Sequence, residues 1–242
     1  MSDADAPKVT IVIPIYNEEG ILRASVVSLV DRMTRFDFSW ELVLAENGST
    51  DGTVALCEEL CARYAQLSYF STGEPGNGNY GKALRQGILD ARGEYVFCDE
   101  IDLCDTDFYA EAIAILEGGG VDMVIGSKLA SGASDERPFV RHLGSVVING
   151  MLRVALDFKG TDTHGLKAFR KSALAPVAER CIVDKDLFAS ELVIRAEREG
   201  IPIREIPVSI KEMREPSVHL FRRVPNVLKN LGKLVVAIRI KG

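Results

Sequence analysis

The chain has 242 residues, 47% of them hydrophobic and 26% charged, and carries a net charge of -6. That length fits one large domain, or one domain with an appendage, and the composition excludes extended disorder. The acidic balance argues against a nucleic-acid partner, and no apolar run reaches the ~18 residues that a bilayer-spanning helix needs.

The first half alternates strands and helices. "VTIVIPIY" (Val9–Tyr16) is a continuous apolar run ending near a proline, the pattern of a buried parallel strand. A helix follows in "EEGILRASVVSLVDRM", then a strand in "WELVLAEN" (Trp40–Asn47). "STDGTVALCEELCARYA" reads as a helix with Ser, Thr and Asp available to cap its start. "LSYFST" is a third strand, "NYGKALRQGILDARG" a helix closed by Gly93, and "EYVFCD" a fourth strand. "DTDFYAEAIAILEGGG" is a helix ended by glycines, and "VDMVIGSK" a fifth strand. This alternation predicts a doubly wound α/β sheet, mostly parallel, with helices on its faces.

The second half is less regular. "GASDERPFVRH" (Gly132–His142) reads as a mobile charged loop, and "LGSVVINGMLRVAL" as a helix. "GTDTHGLKAFRKSAL" reads as loop, short strand and helix start. "LFASELVIRAEREG" is an amphipathic helix, and "IPIREIPVSI" a strand. After Glu215 no acid remains, while Arg222, Arg223, Lys229, Lys233, Arg239 and Lys241 follow. The expected division is therefore a main domain over 1–215 and a basic amphipathic helical segment over 216–242. Such a segment suits an anionic membrane surface, the protein's own acidic body, or a homodimer contact. Five cysteines (Cys57, Cys61, Cys98, Cys104, Cys181) follow neither a disulfide framework nor a zinc spacing and read as buried thiols. With the polar opening "MSDADAPK", which does not read as a signal peptide, they point to a cytoplasmic protein, peripheral on the membrane where lipid is involved.

Ligands of an open α/β sheet bind beyond the carboxyl ends of the strands, and there three polar stretches collect. "PIYNEE" offers Asn17 and Glu18 to a base or ribose; the plainer reading is of acids at the start of a helix. "ENGSTDGT" places Glu46 and Asn47 at a strand tip, while turn and cap roles are enough to explain Ser49 and Asp51. Lys82 sits unfavourably at a helix start, a placement that a nearby anion explains. "YVFCDEIDLCD" (Tyr95 to Asp105) concentrates Asp99, Glu100, Asp102 and Asp105 at the end of an apolar strand. Taken alone that is a solvated acidic loop. Joined to the other two tips, Glu100 and Asp102 become ligands for Mg²⁺ or Mn²⁺ shared with a diphosphate.

Together these motifs resemble family 2 glycosyltransferases, which have the GT-A fold. The family's P-x-Y-N-E, D-D-G-S-T-D-G-T, G-K-x-x-A-L-R-x-G and D-A-D appear here as "PIYNEE", "ENGSTDGT", "GKALRQG" and "EIDL". "GSK", "DTHGLKAFRK", "ELVIRAEREGIPIREIPV" and "REPSV" are similar to later signatures of the polyprenyl-phosphate (dolichol-phosphate mannose synthase-like) branch. The resemblance covers about Val9 to Val218.

It implies an inverting hexosyltransferase using a UDP- or GDP-linked sugar, with a polyprenyl phosphate as acceptor. Pro14, Tyr16, Glu18 and Asn47 would line the nucleoside pocket, with Asn17, Glu46, Ser49, Lys82 and Glu100 completing the nucleotide site. Glu100 and Asp102 would stand at the metal-binding D-x-D. In catalysis Asp102 would act through that metal, Lys128 would fall near the phosphates, and Arg141 and Arg214 would match basic residues that hold phosphates. Asn47 replaces an aspartate, and Glu100 lengthens the arm of the metal ligand. A divalent ion with Lys or Arg would stabilise the leaving diphosphate. A phosphate acceptor needs no general base; for a hydroxyl acceptor, Asp162 and His164 are the candidates. For His164 a backbone-satisfied loop histidine, and for Arg137, Arg141, Arg170 and Arg214 a solvated surface, are the plainer readings. Two alternatives stay open: a glycosyltransferase with a soluble hydroxyl acceptor, and a non-catalytic nucleotide-sugar binder. A sugar-1-phosphate nucleotidyltransferase is disfavoured, because "PIYNEEG" is not a Gly-rich basic loop.

Overall fold

A computed structural model describes residues 6–135, 139–210 and 220–239. Its centre is a seven-stranded sheet in the order β3-β2-β1-β4-β7-β5-β8. The strands are β1 (Val9–Ile15), β2 (Trp40–Glu46), β3 (Leu67–Ser71), β4 (Tyr95–Cys98), β5 (Met123–Ser127), β7 (Leu166–Arg170) and β8 (Ile203–Pro207). Every neighbour pair is parallel except those of β7, which runs antiparallel to both β4 and β5. The doubly wound, mostly parallel expectation holds, and the sheet has the helices of a GT-A fold on its faces.

Why β1 is apolar throughout follows from its place between two helical layers. Val9, Ile11, Ile13 and Ile15 face a cluster with α1 (Leu22–Met33), α2 (Thr53–Arg63) and α4 (Thr106–Glu117). Val12 faces the opposite cluster, with α3 (Tyr80–Asp90), α5 (Phe139–Leu156), α6 (Lys171–Arg180), α7 (Phe188–Arg198) and α8 (Leu220–Arg239). Both faces are covered, so strict alternation is not required. Pro14 breaks no ladder bond. Val12 accepts the last bond from the β4 side, from the Asp99 N–H at 3.2 Å, and Pro14 lies two residues beyond it.

Four expectations need correction. Gly93 does not close α3, because the helix ends at Asp90 with Ala91 already extended (φ -50°, ψ 136°). Glycine is needed there for space, since a Cβ would lie 2.6 Å from the Thr10 nitrogen. Part of the stretch read as a mobile loop is ordered: β6 (Ser134–Asp135) pairs in parallel with β9 (Ser209–Ile210). α7, read as amphipathic, is more deeply buried than that pattern suggests, with Phe188 through Ile194 and Ala196 all inside. Its fully buried Glu191 accepts the Ile182 and Val183 N–H groups and pairs with Arg195 at 2.8 Å. Arg170 sits by Tyr95 at the far end of the sheet from the strand tips, bonded to Glu94 and Asp122, so its role is structural.

α8 is amphipathic in its described side chains. Asn230, Leu234, Ala237 and Ile238 turn inward, and Lys229, Lys233, Val236 and Arg239 are exposed. Arg239 pairs with Asp157 at 3.0 Å. Among the described residues, no helix is long and apolar enough to cross a membrane. All five cysteines are free thiols, and burial pushes those of Cys57 and Cys98 up to about 12.

Candidate active site

The tips of β1 and β2 are stitched to each other by their own side chains. Asn17 is left-handed (φ 55°), a conformation Asn tolerates better than most residues. That turn lets its N–H donate to Ser49 Oγ at 3.0 Å while its Oδ1 accepts the Thr50 N–H at 2.8 Å. The Glu18 N–H donates to Thr53 Oγ1 at 2.8 Å. The Glu19 N–H donates to Asp51 Oδ2, and the Gly52 N–H to Glu19 Oε2 at 2.9 Å. Asp51 Oδ1 accepts the Thr53 N–H at 3.0 Å, a local turn bond; the N-cap position of α2 is Gly52, which has no side chain to cap with, so the expected cap is not made.

Glu46 is the pin of this turn. Its Oε1 accepts the Gly48 N–H at 2.6 Å and the Ser49 N–H at 2.5 Å, and its Oε2 accepts the Ser71 hydroxyl. Burial alone would raise its pKa, but these donors hold the carboxyl below the usual glutamate value. Gly48 has a φ of +97°, and a Cβ there would run into the Glu74 carbonyl. The position assigned to nucleotide contact thus serves first to shape the loop.

Asn47 donates its Nδ2 hydrogen to the Ile15 carbonyl at 2.9 Å, reinforced by its own backbone N–H at 3.0 Å. Two carbonyl oxygens cannot share that contact, so the amide orientation is fixed and Oδ1 lies on the other side. A Cβ on Gly78 would come within 3.0 Å of both Asn47 Oδ1 and the Tyr16 ring. Tyr16, Asn47 and the glycine-rich loop before α3 therefore share one small surface. Lys82 donates to the Thr72 carbonyl at 3.1 Å, and its N–H is capped by Asn79.

The four carboxylates after β4 divide into two kinds. Asp99 is buried, and its oxygens accept the Glu100 N–H at 2.6 Å, the Asp105 N–H at 3.0 Å and the Tyr109 hydroxyl at 2.5 Å. Burial pushes its pKa up to about 7 against those three donors. Asp105 caps α4 through the N–H groups of Asp107 and Phe108. Asp99 is therefore a structural anchor of the turn, with its oxygens already occupied. Glu100 is exposed and Asp102 half-buried in the turn closed by the Cys104 N–H to Glu100 O bond at 3.1 Å.

No group of three or more His, Cys, Asp or Glu side chains is placed to hold a metal among the described residues. Glu100 and Asp102 nonetheless match the usual Mg²⁺ or Mn²⁺ arrangement, in which one or two carboxylates are completed by diphosphate and water. The donor set fits a cation brought with its nucleotide.

Because β7 is antiparallel, its beginning lies at this edge of the sheet, and so does the loop before it. A Cβ on Gly165 would overlap the Gly126 carbonyl oxygen outright, so the loop presses against the end of β5. This contact sets Asp162 beside Lys128, with Nζ and Oδ2 2.9 Å apart and both side chains buried. Burial pushes Asp162 up, but Lys128 and the His164 N–H hold it below the usual range. Asp162 is thus the ion-pair partner of Lys128, and Lys128 carries a compensated charge. His164 is half-buried, with Nδ1 3.1 Å from the Thr163 hydroxyl, which also meets Ser190 and Asn149. Arg141 lies near the start of α5; Arg137 and Arg214 fall outside the described residues.

Sequence reading missed Lys167. It is buried, opposite Cys98 of β4 and Ile125 of β5, and donates to the Gly165 carbonyl at 2.7 Å. Burial pushes its pKa down to about 8. The available signal was a lone lysine inside the apolar strand "LKAF".

Comparison with known proteins agrees with this geometry. The family model described as glycosyl transferase family 2 matches residues 10–176. Glycosyltransferase AglD of Haloferax volcanii is 26% identical over 96% of this chain and 38% of its own length. The dolichyl-phosphate beta-glucosyltransferase of Saccharomyces cerevisiae is 27% identical over 84% of this chain and 67% of its own. The chain therefore spans well under half of the first relative and about two thirds of the second. Glucosyl-3-phosphoglycerate synthase of Mycobacterium tuberculosis, solved with Mn²⁺, UDP and glucosyl-3-phosphoglycerate, superposes with a TM-score of 0.64. That match has 19% identity and covers 96% of this chain and 81% of the other, a likeness of fold.

Proposed function

Because the chain belongs to glycosyl transferase family 2, we propose that it moves a hexose from a UDP- or GDP-linked donor to a polyprenyl phosphate, with inversion. The observation that carries this reading is the meeting of the stitched β1 and β2 tips with the Glu100–Asp102 turn at one edge of the sheet. The named yeast relative acts on dolichyl phosphate, which supports the acceptor.

In this reading the base stacks on Tyr16, beside Pro14, and Asn47 Oδ1 accepts one of its N–H groups. The Asn47 amide oxygen replaces the charged oxygen of the family's aspartate, and the bond to Ile15 keeps it turned the right way. Asn17, Glu18 and Ser49 hold the loop that carries the ribose, and Lys82 stands near the phosphates. Glu100 and Asp102 would hold Mg²⁺ or Mn²⁺, which when bound neutralises charge on the departing diphosphate. Arg141 and Arg214 are assigned to the phosphate of the acceptor. A phosphate oxygen is already anionic, so the acceptor attacks without a base, in keeping with an Asp162 locked to Lys128. Residues 1–215 are assigned this chemistry, and the basic segment 216–242 is assigned to anionic lipid.

The test is transfer of labelled sugar from UDP-glucose and GDP-mannose to a short-chain polyprenyl phosphate with Mn²⁺. Labelled lipid is expected, and Asp102→Asn should lower turnover by about 10²-fold or more. Transfer only to a soluble hydroxyl would overturn the acceptor assignment, and binding of donor without any turnover would overturn the catalytic one.

A further inference from the structure

Lys167 has no role in the reaction as described, yet it lies under the site. It occupies the second position of β7, between Leu166 and the apolar Ala168 and Phe169, and the residue is 2% exposed. Burying an ammonium is unfavourable unless something negative compensates it. Among the described residues, its ammonium donates to the Gly165 carbonyl at 2.7 Å. The carboxylate of the same loop, Asp162, is already paired with Lys128 at 2.9 Å. Lys167 feels the charges of both Lys128 and Asp162, so the three form a buried cluster of two cations and one anion with one positive charge in surplus, and Glu100 above them is the next acid to act on Lys167. Cys98, the cross-strand partner of Lys167, stands two residues before Glu100. The surplus charge therefore sits beneath the acidic turn, where the donor's diphosphate is expected.

We propose that Lys167 is a positioning residue for the donor: a buried positive charge that draws the diphosphate to the Glu100–Asp102 turn and lessens the site's dependence on its divalent cation. The inference rests on the nucleotide-diphosphate reading above. The sign of the effect is specific. A buried cation beside Glu100 favours an anionic diphosphate and disfavours a bare metal ion. At a separation of roughly 10 Å and intermediate screening, one charge on another alters binding by about tenfold.

The experiment is calorimetric titration of UDP and GDP into the wild type, Lys167→Met and Lys159→Met, each with EDTA and with Mn²⁺. Methionine keeps the length of the side chain without its charge. Lys159 is exposed and controls for net charge. Lys167→Met should bind the preferred nucleotide about tenfold more weakly in EDTA, with a smaller loss in Mn²⁺. Mn²⁺ alone should bind it as tightly as the wild type or more so. Equal metal-free affinity for Lys167→Met and the wild type overturns the inference. So does an equal loss in Lys159→Met, or a wild type that binds nucleotide only with Mn²⁺. A wild type that binds neither nucleotide under any condition instead sinks the donor reading itself. If Lys167→Met does not fold, Asp162→Asn carries the test with the opposite sign. Removing the cluster's one anion should tighten metal-free binding, and unchanged or weaker binding overturns the inference.

Discussion

Tyr109 gives its hydroxyl hydrogen to a carboxylate that no solvent reaches, and that bond decides what the neighbouring acids can do. Asp99 gathers three donors and so fixes the turn from which Glu100 and Asp102 project. Removing one donor from a buried acceptor costs about 1–3 kcal/mol. Tyr109→Phe should therefore lower the unfolding free energy by about that much in a urea titration. It should also weaken Mn²⁺-dependent nucleotide binding, although the ring is wholly buried. Glu46 makes the corresponding point at the β2 tip, and its sign with pH can be worked out. Its folded pKa lies below the ordinary value of 4.5, so its stabilisation is present above that value. It is lost as pH falls through the folded pKa. Stability of the wild type should thus drop more steeply below pH 4.5 than that of Glu46→Gln, which has no carboxyl to protonate there; chemical denaturation at several pH values is the check. Parallel curves for the two proteins would show that the turn does not depend on the ionised form.

Among the elements, the alternation of strand and helix was legible because each strand is an apolar run bounded by polar turns and each helix keeps its spacing. The three strand tips to which the site is assigned were legible for the same reason: polar residues there interrupt an apolar pattern. The direction of β7 was not, since five apolar-rich residues read alike in either direction. That direction is what brings Gly160 through Gly165 to the edge where the strand tips end and sets Asp162, a candidate base in the sequence, against Lys128. Nor does the sequence separate Asp99 and Asp105 from Glu100 and Asp102. All four are acids within seven residues, and only the path of the turn buries the first and caps α4 with the last. Gly165 tests the role of the β7 loop. A methyl group there has no room against the Gly126 carbonyl, so Gly165→Ala must displace the loop. The Lys128–Asp162 pair should separate, and transfer activity should fall by at least tenfold, while far-UV circular dichroism shows the helices intact. Full activity in Gly165→Ala would mean that the loop can shift without consequence for the site.

On the scale of the whole molecule the net charge of -6 conceals a division of charge. The acids lie in the body, and the last helix turns Lys229 and Lys233 outward while Leu234 and Ile238 anchor it to the core. A docked helix with a basic outer face is suited to rest on an anionic bilayer without inserting, because the apolar side is already in use. Each lysine near such a surface contributes about 1 kcal/mol, and the contribution is screened by salt. Lys229→Gln combined with Lys233→Gln should therefore reduce partitioning onto phosphatidylserine/phosphatidylcholine vesicles by roughly 30-fold at low salt. The loss should shrink as salt is raised, and the melting temperature should barely move, since both side chains are exposed. Transfer to a polyprenyl phosphate held in those vesicles should fall with the binding, whereas transfer to a detergent-dispersed acceptor should not. Equal partitioning of variant and wild type would reduce α8 to a packing element and leave the acceptor to find the site from solution.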